Sequence, residues 1–123
     1  MMSSKILVVD DEENIVELIT VNLENAGYTV ISAFDGESGL KKALSEMPDL
    51  VILDARMPGM DGFSVCKSIK DNPKTKDIPV IFLTAATQKK DYENAKVSGC
   101  DYYFPKPFDP LELVKIVDSI LKG

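Results

Sequence analysis

The sequence predicts an α/β fold in which five parallel strands, in the order 2-1-3-4-5, form a doubly wound sheet with helices on both faces. Five short apolar segments alternate along the chain with five segments whose apolar residues recur at helical spacing. This alternation is typical of a parallel sheet with helical connections. The first, third and fourth apolar segments are apolar throughout, whereas the second and fifth also contain polar residues. Because interior strands are buried on both faces, we expect the second and fifth strands at the edges of the sheet.

The first part of the chain contains two predicted strands and two predicted helices. The strands are Ile6–Val9 and Thr29–Ala33. The segments that follow them have apolar residues at intervals of three and four, the pattern of a helix with one buried face. The first helix ends at Gly27 and the second before Pro48. The predicted buried faces consist of Ile15, Leu18, Ile19, Leu23 and Ala26 in the first helix, and of Leu40, Ala43, Leu44 and Met47 in the second.

The rest of the chain contains three more strand and helix pairs. The predicted strands are Leu50–Leu53, Val80–Leu83 and Tyr102–Phe104. The third helix has Phe63, Cys66 and Ile69 on its apolar face, and the fifth has Leu113, Val114, Val117, Ile120 and Leu121. The fourth helix, around Lys89–Val97, is polar and offers only Tyr92, Ala95 and Val97 for burial. No linker or repeat interrupts this pattern, so residues 1–123 are predicted to form a single domain.

Composition excludes several classes of function. The formal net charge of −6 argues against direct binding to nucleic acid or to an anionic membrane by this domain. The sequence contains no histidine, which excludes Ser-His-Asp and Cys-His catalytic centres. Cys66 and Cys100 lack the spacing of zinc ligands and are predicted to be small buried thiols rather than a disulfide. No signal peptide and no membrane span is evident, so we expect a cytoplasmic protein.

Acidic and polar residues follow four of the five predicted strands. Asp10 and Asp11 come directly after the first strand, Asp54 after the third and Thr84 after the fourth, and Lys106 follows the fifth. In an open parallel sheet of this order, ligands bind at the carboxyl ends of the strands, between the first and the third. The sequence therefore predicts one crevice in which three carboxylates, a hydroxyl and an ammonium group converge.

Adjacent carboxylates repel each other, and solvent, a helix N-terminus, a lysine or a metal ion could relieve the repulsion. A hard divalent cation is one interpretation, since Mg²⁺ takes oxygen ligands and typically one or two carboxylates. A phosphoryl group held by the metal, Lys106 and the Thr84 hydroxyl would lie beside Asp54, and a carboxylate can attack it as a nucleophile. An EF-hand is excluded, because Ile15 stands where that loop requires glycine, and no P-loop motif is present.

Four stretches, "ILVVDDEEN", "DLVILDARMPGMDG", "PVIFLTA" and "GCDYYFPKPF", together resemble a known family. In this order and spacing they are similar to the receiver domain of response regulators, the CheY-like partner of sensor histidine kinases in two-component signalling. The resemblance extends from Lys5 to Leu121 and implies the (βα)5 flavodoxin-like fold. It also implies a switch controlled by phosphorylation, rather than an enzyme, with a sensor histidine kinase or a histidine phosphotransfer protein as the phosphoryl donor. A downstream output domain or target protein would be the second partner, and a phosphorylation-dependent dimer is left open.

The resemblance also implies roles for individual residues. Asp54 would be the phosphoacceptor, and Lys106 would pair with a phosphoryl oxygen. Asp10, Asp11 and Asp54, with the backbone carbonyl of Arg56, would bind Mg²⁺ or Mn²⁺.

Further roles concern the response to phosphorylation. Thr84 would be the switch hydroxyl and Tyr103 the aromatic switch residue, and together they would alter the surface of the fourth helix, fifth strand and fifth helix. The bond between Lys106 and Pro107 is expected to be cis. Arg56 and Ala86 occupy positions that tune the loss of the phosphoryl group, and we predict that Arg56 largely sets the lifetime of the phosphorylated state.

Two other classes of function remain as alternatives. An aspartate-nucleophile phosphohydrolase on a related α/β sheet would usually carry a D-x-D pair on the first strand, whereas here the acids are adjacent. A flavodoxin-type phosphate- or flavin-binding module would need a loop rich in Ser, Thr or Gly after the first strand, and DDEEN has the opposite electrostatic character.

Overall fold

The computed structural model describes residues 4–84 and 89–122, and for residues 89–92 the backbone alone. Ten elements alternate along the chain. The strands are β1 (Lys5–Val9), β2 (Thr29–Ala33), β3 (Leu50–Asp54), β4 (Val80–Thr84) and β5 (Tyr102–Pro105), and the helices are α1 (Glu13–Asn25), α2 (Gly36–Glu46), α3 (Gly62–Asp71), α4 (Lys89–Val97) and α5 (Pro110–Leu121). The five predicted strands are confirmed, and four of them extend one residue further than predicted at one end.

All neighbouring strands pair in parallel, in the predicted order β2-β1-β3-β4-β5. Every residue of β3 and β4 is buried, whereas β2 and β5 are largely half-buried or exposed. Composition therefore placed the central and the edge strands correctly. Pro105 ends the edge strand β5, where the lack of a backbone N–H is tolerated.

Two apolar clusters lie on the two faces of the sheet. Alternate strand residues pack against α1 and α5 on one face and against α2, α3 and α4 on the other, as the period of two along a strand requires. The sheet is thus covered on both faces, which confirms the predicted doubly wound architecture.

Some predicted helix faces were wrong in detail. In α1 the buried residues are Val16, Ile19 and Leu23, at intervals of three and four, so Leu18 turns outward and is 42% exposed. In α2 the buried residues are Gly36, Gly39 and Ala43, because small side chains let this helix lie close to the sheet. Leu44 and Met47 are consequently 40% and 46% exposed.

The polar helix α4 buries little of what was predicted. Ala95 is buried, but Val97 is 86% exposed and does not belong to the core. The side chain of Tyr92 lies outside the described residues. Cys66 is buried and Cys100 half-buried, and both thiols are free. Within residues 4–84 and 89–122, no helix has both the length and the apolar character needed to cross a bilayer.

Candidate functional site

Three carboxylates meet at the carboxyl ends of β1 and β3. One oxygen each from Asp10, Asp11 and Asp54 lies within 4.8 Å of the others. Asp10 is fully buried and Asp54 is 5% exposed, whereas Asp11 faces solvent. The parallel pairing of β1 with β3 brings together residues more than forty positions apart in the sequence. The predicted convergence of these three acids is therefore present in the structure.

Lys106 inserts its ammonium group among these acids. Its Nζ lies 3.0 Å from Asp10 Oδ2, 3.4 Å from Asp54 Oδ1 and 3.7 Å from Glu12 Oε1. The Lys106 side chain is only 12% exposed. Sequence reasoning did not predict Glu12 as a partner of this lysine. The only sign of it in the sequence is its position in the run DDEE, two residues after Asp10.

The backbone around Lys106 is fixed by β4. The backbone N–H of Lys106 donates to the carbonyl oxygen of Thr84, 2.7 Å away. Thr84 ends β4 and is 1% exposed, so this residue too is buried at the edge of the crevice. The bond between Lys106 and Pro107 is cis, as predicted.

The electrostatics of the crevice are those of crowded acids that share one cation. Burial, followed by the charge of Asp10, raises the pKa of Asp54 to about 6, against the opposing effect of Lys106. Burial also raises the pKa of Asp10, although the Glu12 backbone N–H, 2.9 Å from Asp10 Oδ1, and Lys106 oppose this. Burial lowers the pKa of Lys106, but its contacts with Asp10 and Asp54 outweigh that effect and raise it overall. The folded protein therefore favours additional positive charge here.

The loop from Ala55 to Asp61 connects the site to α3. The Arg56 backbone N–H donates a hydrogen bond to Asp54 and lowers its pKa. The loop is closed at its base, where the N–H of Gly62 donates to the carbonyl of Ala55 at 3.0 Å. A Cβ atom on Gly62 would lie 2.1 Å from the carbonyl oxygen of Asp54, so only glycine fits here. Gly62 ends the stretch DLVILDARMPGMDG, but no local pattern in the sequence indicates this contact.

The remaining predicted residues lie around this centre. The Arg56 guanidinium lies over the Phe63 ring, 5.7 Å from the ring centroid, and the residue is exposed. Tyr103 pairs in register with Phe82 and is half-buried against the cluster on the α2–α4 face. Ala86 lies outside the described residues.

The donor set fits a hard divalent cation. The three clustered carboxylates supply oxygen ligands, which Mg²⁺ and Mn²⁺ prefer. Added positive charge would also offset the burial and the neighbouring acid charges, which together raise the pKa values of Asp10 and Asp54. The residues present therefore match such an ion in both ligand chemistry and charge.

Comparison with known protein families gives one match that extends over most of the chain. The model of the response regulator receiver domain matches residues 6–118. This range includes all ten helices and strands except the first residue of β1 and the last three of α5.

Curated relatives support the same assignment. The chain is 46% identical over 121 residues to the alkaline phosphatase synthesis transcriptional regulatory protein PhoP of Bacillus subtilis, covering 98% of this chain and 50% of that protein. It is 42% identical over 118 residues to the DNA-binding dual master transcriptional regulator RpaA of Synechocystis, covering 96% and 49% respectively. The chain thus spans about half the length of these relatives.

Solved structures agree with the fold. The chemotaxis protein CheY4 of Vibrio cholerae superposes with a TM-score of 0.91 at 33% identity, over 98% of this chain and all of that one.

Proposed function

Because the chain belongs to the response regulator receiver domain family, we propose that Asp54 is its phosphoacceptor and that a phosphohistidine is the phosphoryl donor. The domain is a receiver of two-component signalling, and receiver domains act as phosphoacceptor switches. The observation that carries the proposal is a nearly buried carboxylate at the end of β3, beside a lysine ammonium and two further acids. The phosphohydrolase alternative has no support from the relatives described above.

The proposed reaction is a phosphoryl transfer to a carboxylate. An Asp54 Oδ atom attacks phosphorus, an O–P bond forms, the N–P bond to the donor imidazole breaks, and the imidazole leaves with the electron pair and takes a proton from solvent. Lys106, now 3.4 Å from Asp54 Oδ1, would pair with a phosphoryl oxygen. The N–H of Arg56 holds the Asp54 carboxylate in position.

The proposed metal ligands are the carboxylates of Asp10, Asp11 and Asp54 and the backbone carbonyl of Arg56. A bound Mg²⁺ or Mn²⁺ ion would neutralise the charge that develops on the transferred phosphoryl group. Asp10 is held for this task by two contacts, the N–H of Glu12 and the ammonium of Lys106.

The proposed output follows from the charge that phosphorylation adds. An aspartyl phosphate beside Lys106 and Thr84 would draw the Thr84 hydroxyl toward it, and Tyr103, half-buried on the same face, would follow. The surface formed by α4, β5 and α5 would then change. Val97, Tyr102 and Leu111 expose apolar surface on these elements. A second phosphorylated copy of the chain, forming a dimer, or a target protein would bind this surface.

The proposed partners follow from the family and from the relatives. A sensor histidine kinase or a histidine phosphotransfer protein would supply the phosphoryl group. PhoP and RpaA are named as transcriptional regulators and are about twice as long as the matched region, so we propose that residues 1–123 act as one domain whose output is an attached domain or a separate target. With a net charge of −6, this domain would not itself contact nucleic acid.

The test is the intact mass of the protein after incubation with Mg²⁺ and acetyl phosphate. We expect one added phosphoryl group, which is lost in Asp54→Asn and in a sample with chelated metal. Asp101→Asn is the matched control, since Asp101 also pairs with a lysine, Lys70, but directly precedes β5 at the amino end of the sheet, and we expect this variant to be phosphorylated normally. A second arm replaces acetyl phosphate by a phosphorylated histidine phosphotransfer protein. If neither donor phosphorylates Asp54, the proposed function is wrong.

A further inference from the structure

The loop between β3 and α3 is in contact with the first turn of α2 as well as with its own strand. A Cβ atom built on Gly36 would lie 2.2 Å from the carbonyl oxygen of Met60, and 3.1 Å from both the carbonyl carbon and the Cβ of Met60. Real Cβ atoms essentially never come within 3.0 Å of a heavy atom outside their own residue and its chain neighbours. Only glycine at position 36 therefore permits the observed approach of the loop to α2.

The first turn of α2 is itself firmly held. The Asp35 carboxylate accepts a hydrogen bond from the Ser38 N–H at 2.7 Å and caps the helix. One turn further on, a Cβ atom on Gly39 would lie 2.8 Å from both Cγ atoms of Val9. Val9 directly precedes Asp10. The helix is thus seated against β1 and presents a fixed surface to the loop.

The far side of the same loop is bound to the site. Arg56 donates its backbone N–H to Asp54, and its carbonyl is the main-chain ligand in the proposed metal site. The base of the loop is fixed by the Gly62 contact with Asp54, whereas Met60 lies on the opposite limb from Arg56 and against the first turn of α2.

We propose that Gly36 is a positioning residue for the phosphorylation site, because the first turn of α2 supports the Met60 carbonyl and so holds the Arg56 main chain against Asp54. The role toward metal rests on the proposed function above. The contact between Gly36 and the Met60 carbonyl, by contrast, does not require a bound metal ion. A side chain at position 36 must move the loop, the helix or both, and a moved loop misplaces the Arg56 carbonyl.

The test is Gly36→Ala, compared with Gly39→Ala as the matched control. Both variants add one methyl group to the same face of α2, but the second meets side-chain atoms of Val9 rather than loop backbone. We expect Gly36→Ala to weaken Mg²⁺ binding, measured by calorimetry, by roughly ten-fold, as is typical when a group that orients metal ligands is lost. In the metal-free protein, the amide proton of Arg56 should shift in the NMR spectrum and exchange faster with solvent. Gly39→Ala adds a methyl group that meets the Val9 side chain and not the loop, so it should change the Mg²⁺ affinity and the Arg56 amide less than Gly36→Ala does.

A second pair of variants avoids overpacking, in case Gly36→Ala does not fold. Asp35→Ala removes the α2 cap, whereas Asp35→Asn keeps it, since asparagine caps equally well. We expect faster exchange of the Arg56 amide and weaker Mg²⁺ binding in Asp35→Ala but not in Asp35→Asn. If Gly36→Ala or, failing its folding, Asp35→Ala leaves the Arg56 amide and Mg²⁺ binding unchanged, the inference is wrong. If wild type does not bind Mg²⁺ or accept a phosphoryl group, the proposed function fails instead, and the Arg56 amide in metal-free protein still decides the positioning role.

Discussion

The two ends of the sheet carry similar residues in opposite electrostatic arrangements. At the amino ends of the strands, two carboxylates have their own partners: Asp101 pairs with Lys70 at 2.7 Å and accepts the N–H of Val80 at 2.8 Å, and Asp49 accepts the N–H of Lys5 at 2.7 Å. At the carboxyl ends, Asp10, Asp54 and Glu12 share the single ammonium of Lys106.

The difference separates a structural role from a functional one. Paired and partly exposed charges at the amino ends hold strand starts and loops in place. Buried acids in excess over nearby cations at the carboxyl ends destabilise the metal-free fold locally and favour a bound cation or a proton. Burial first, and the charge of a neighbouring acid second, raise the pKa values of Asp10 and Asp54. Titratable groups with pKa values shifted by burial and by neighbouring charges are typical of functional sites.

The largest effect on stability is expected from removing the shared cation. Lys106→Met should lower the free energy of unfolding by about 3 kcal/mol at about pH 7.5, because Asp10 and Asp54 lose their ammonium partner while buried. Lys70→Met, at the other end of the sheet, should cost about 1 kcal/mol, since Asp101 is better exposed to solvent. Urea unfolding of both variants measures the difference. Equal losses would remove the distinction between the two ends.

The opposite sign is expected from removing the crowded acid. The folded-state pKa of Asp54 is about 6, above the unfolded value of about 3.9, so the folded state binds more protons between these values and stability falls as the pH rises through this window. Asp54→Asn should therefore stabilise the metal-free protein by about 2 kcal/mol at about pH 7.5 and by much less at about pH 4. Asp101→Asn should instead destabilise it. A pH series of thermal unfolding curves gives both results, and a stability gain in Asp54→Asn that did not depend on pH would contradict this explanation.

A smaller effect is expected from metal. Mg²⁺ at ten times its dissociation constant should raise the free energy of unfolding by about 1.4 kcal/mol, by binding to the folded state alone. Asp10→Asn, which removes a buried acid of the candidate metal site, should abolish this gain, whereas Asp49→Asn at the amino end should retain it. Thermal unfolding of wild type, Asp10→Asn and Asp49→Asn, each with Mg²⁺ and with a chelator, measures this gain in stability. An equal gain in all three proteins would show that the ion binds at a different site.

The smallest effect is expected at the exposed pair of Lys5 and Glu46, whose charged atoms are 3.3 Å apart. Both side chains are more than a third exposed, so Glu46→Gln should change the free energy of unfolding by no more than about 0.5 kcal/mol and less at high salt. A larger, salt-independent loss in denaturant unfolding would show that charges at the amino ends do more than hold local geometry.

The sequence by itself determined the order of the strands and the members of the crevice. Predicted strands such as Leu50–Leu53 are apolar on both faces and must be interior, and residues that follow parallel strands must meet at one edge. Asp10, Asp54 and Lys106 could therefore be placed together from their positions in the chain. The resemblance to receiver domains assigned their roles, which remain predictions until the phosphorylation test is done.

Only the tertiary structure decided which faces are buried and how the charges are shared. Leu18, Leu44 and Val97 are as apolar as the core residues, and no local pattern shows that the neighbouring helices and sheet leave them exposed. Contacts such as Glu12 with Lys106, or Gly36 with the Met60 carbonyl, join residues from distant parts of the chain. Periodicity is a local property of the chain, whereas distance and burial depend on how the elements pack, and the pKa values follow from those distances.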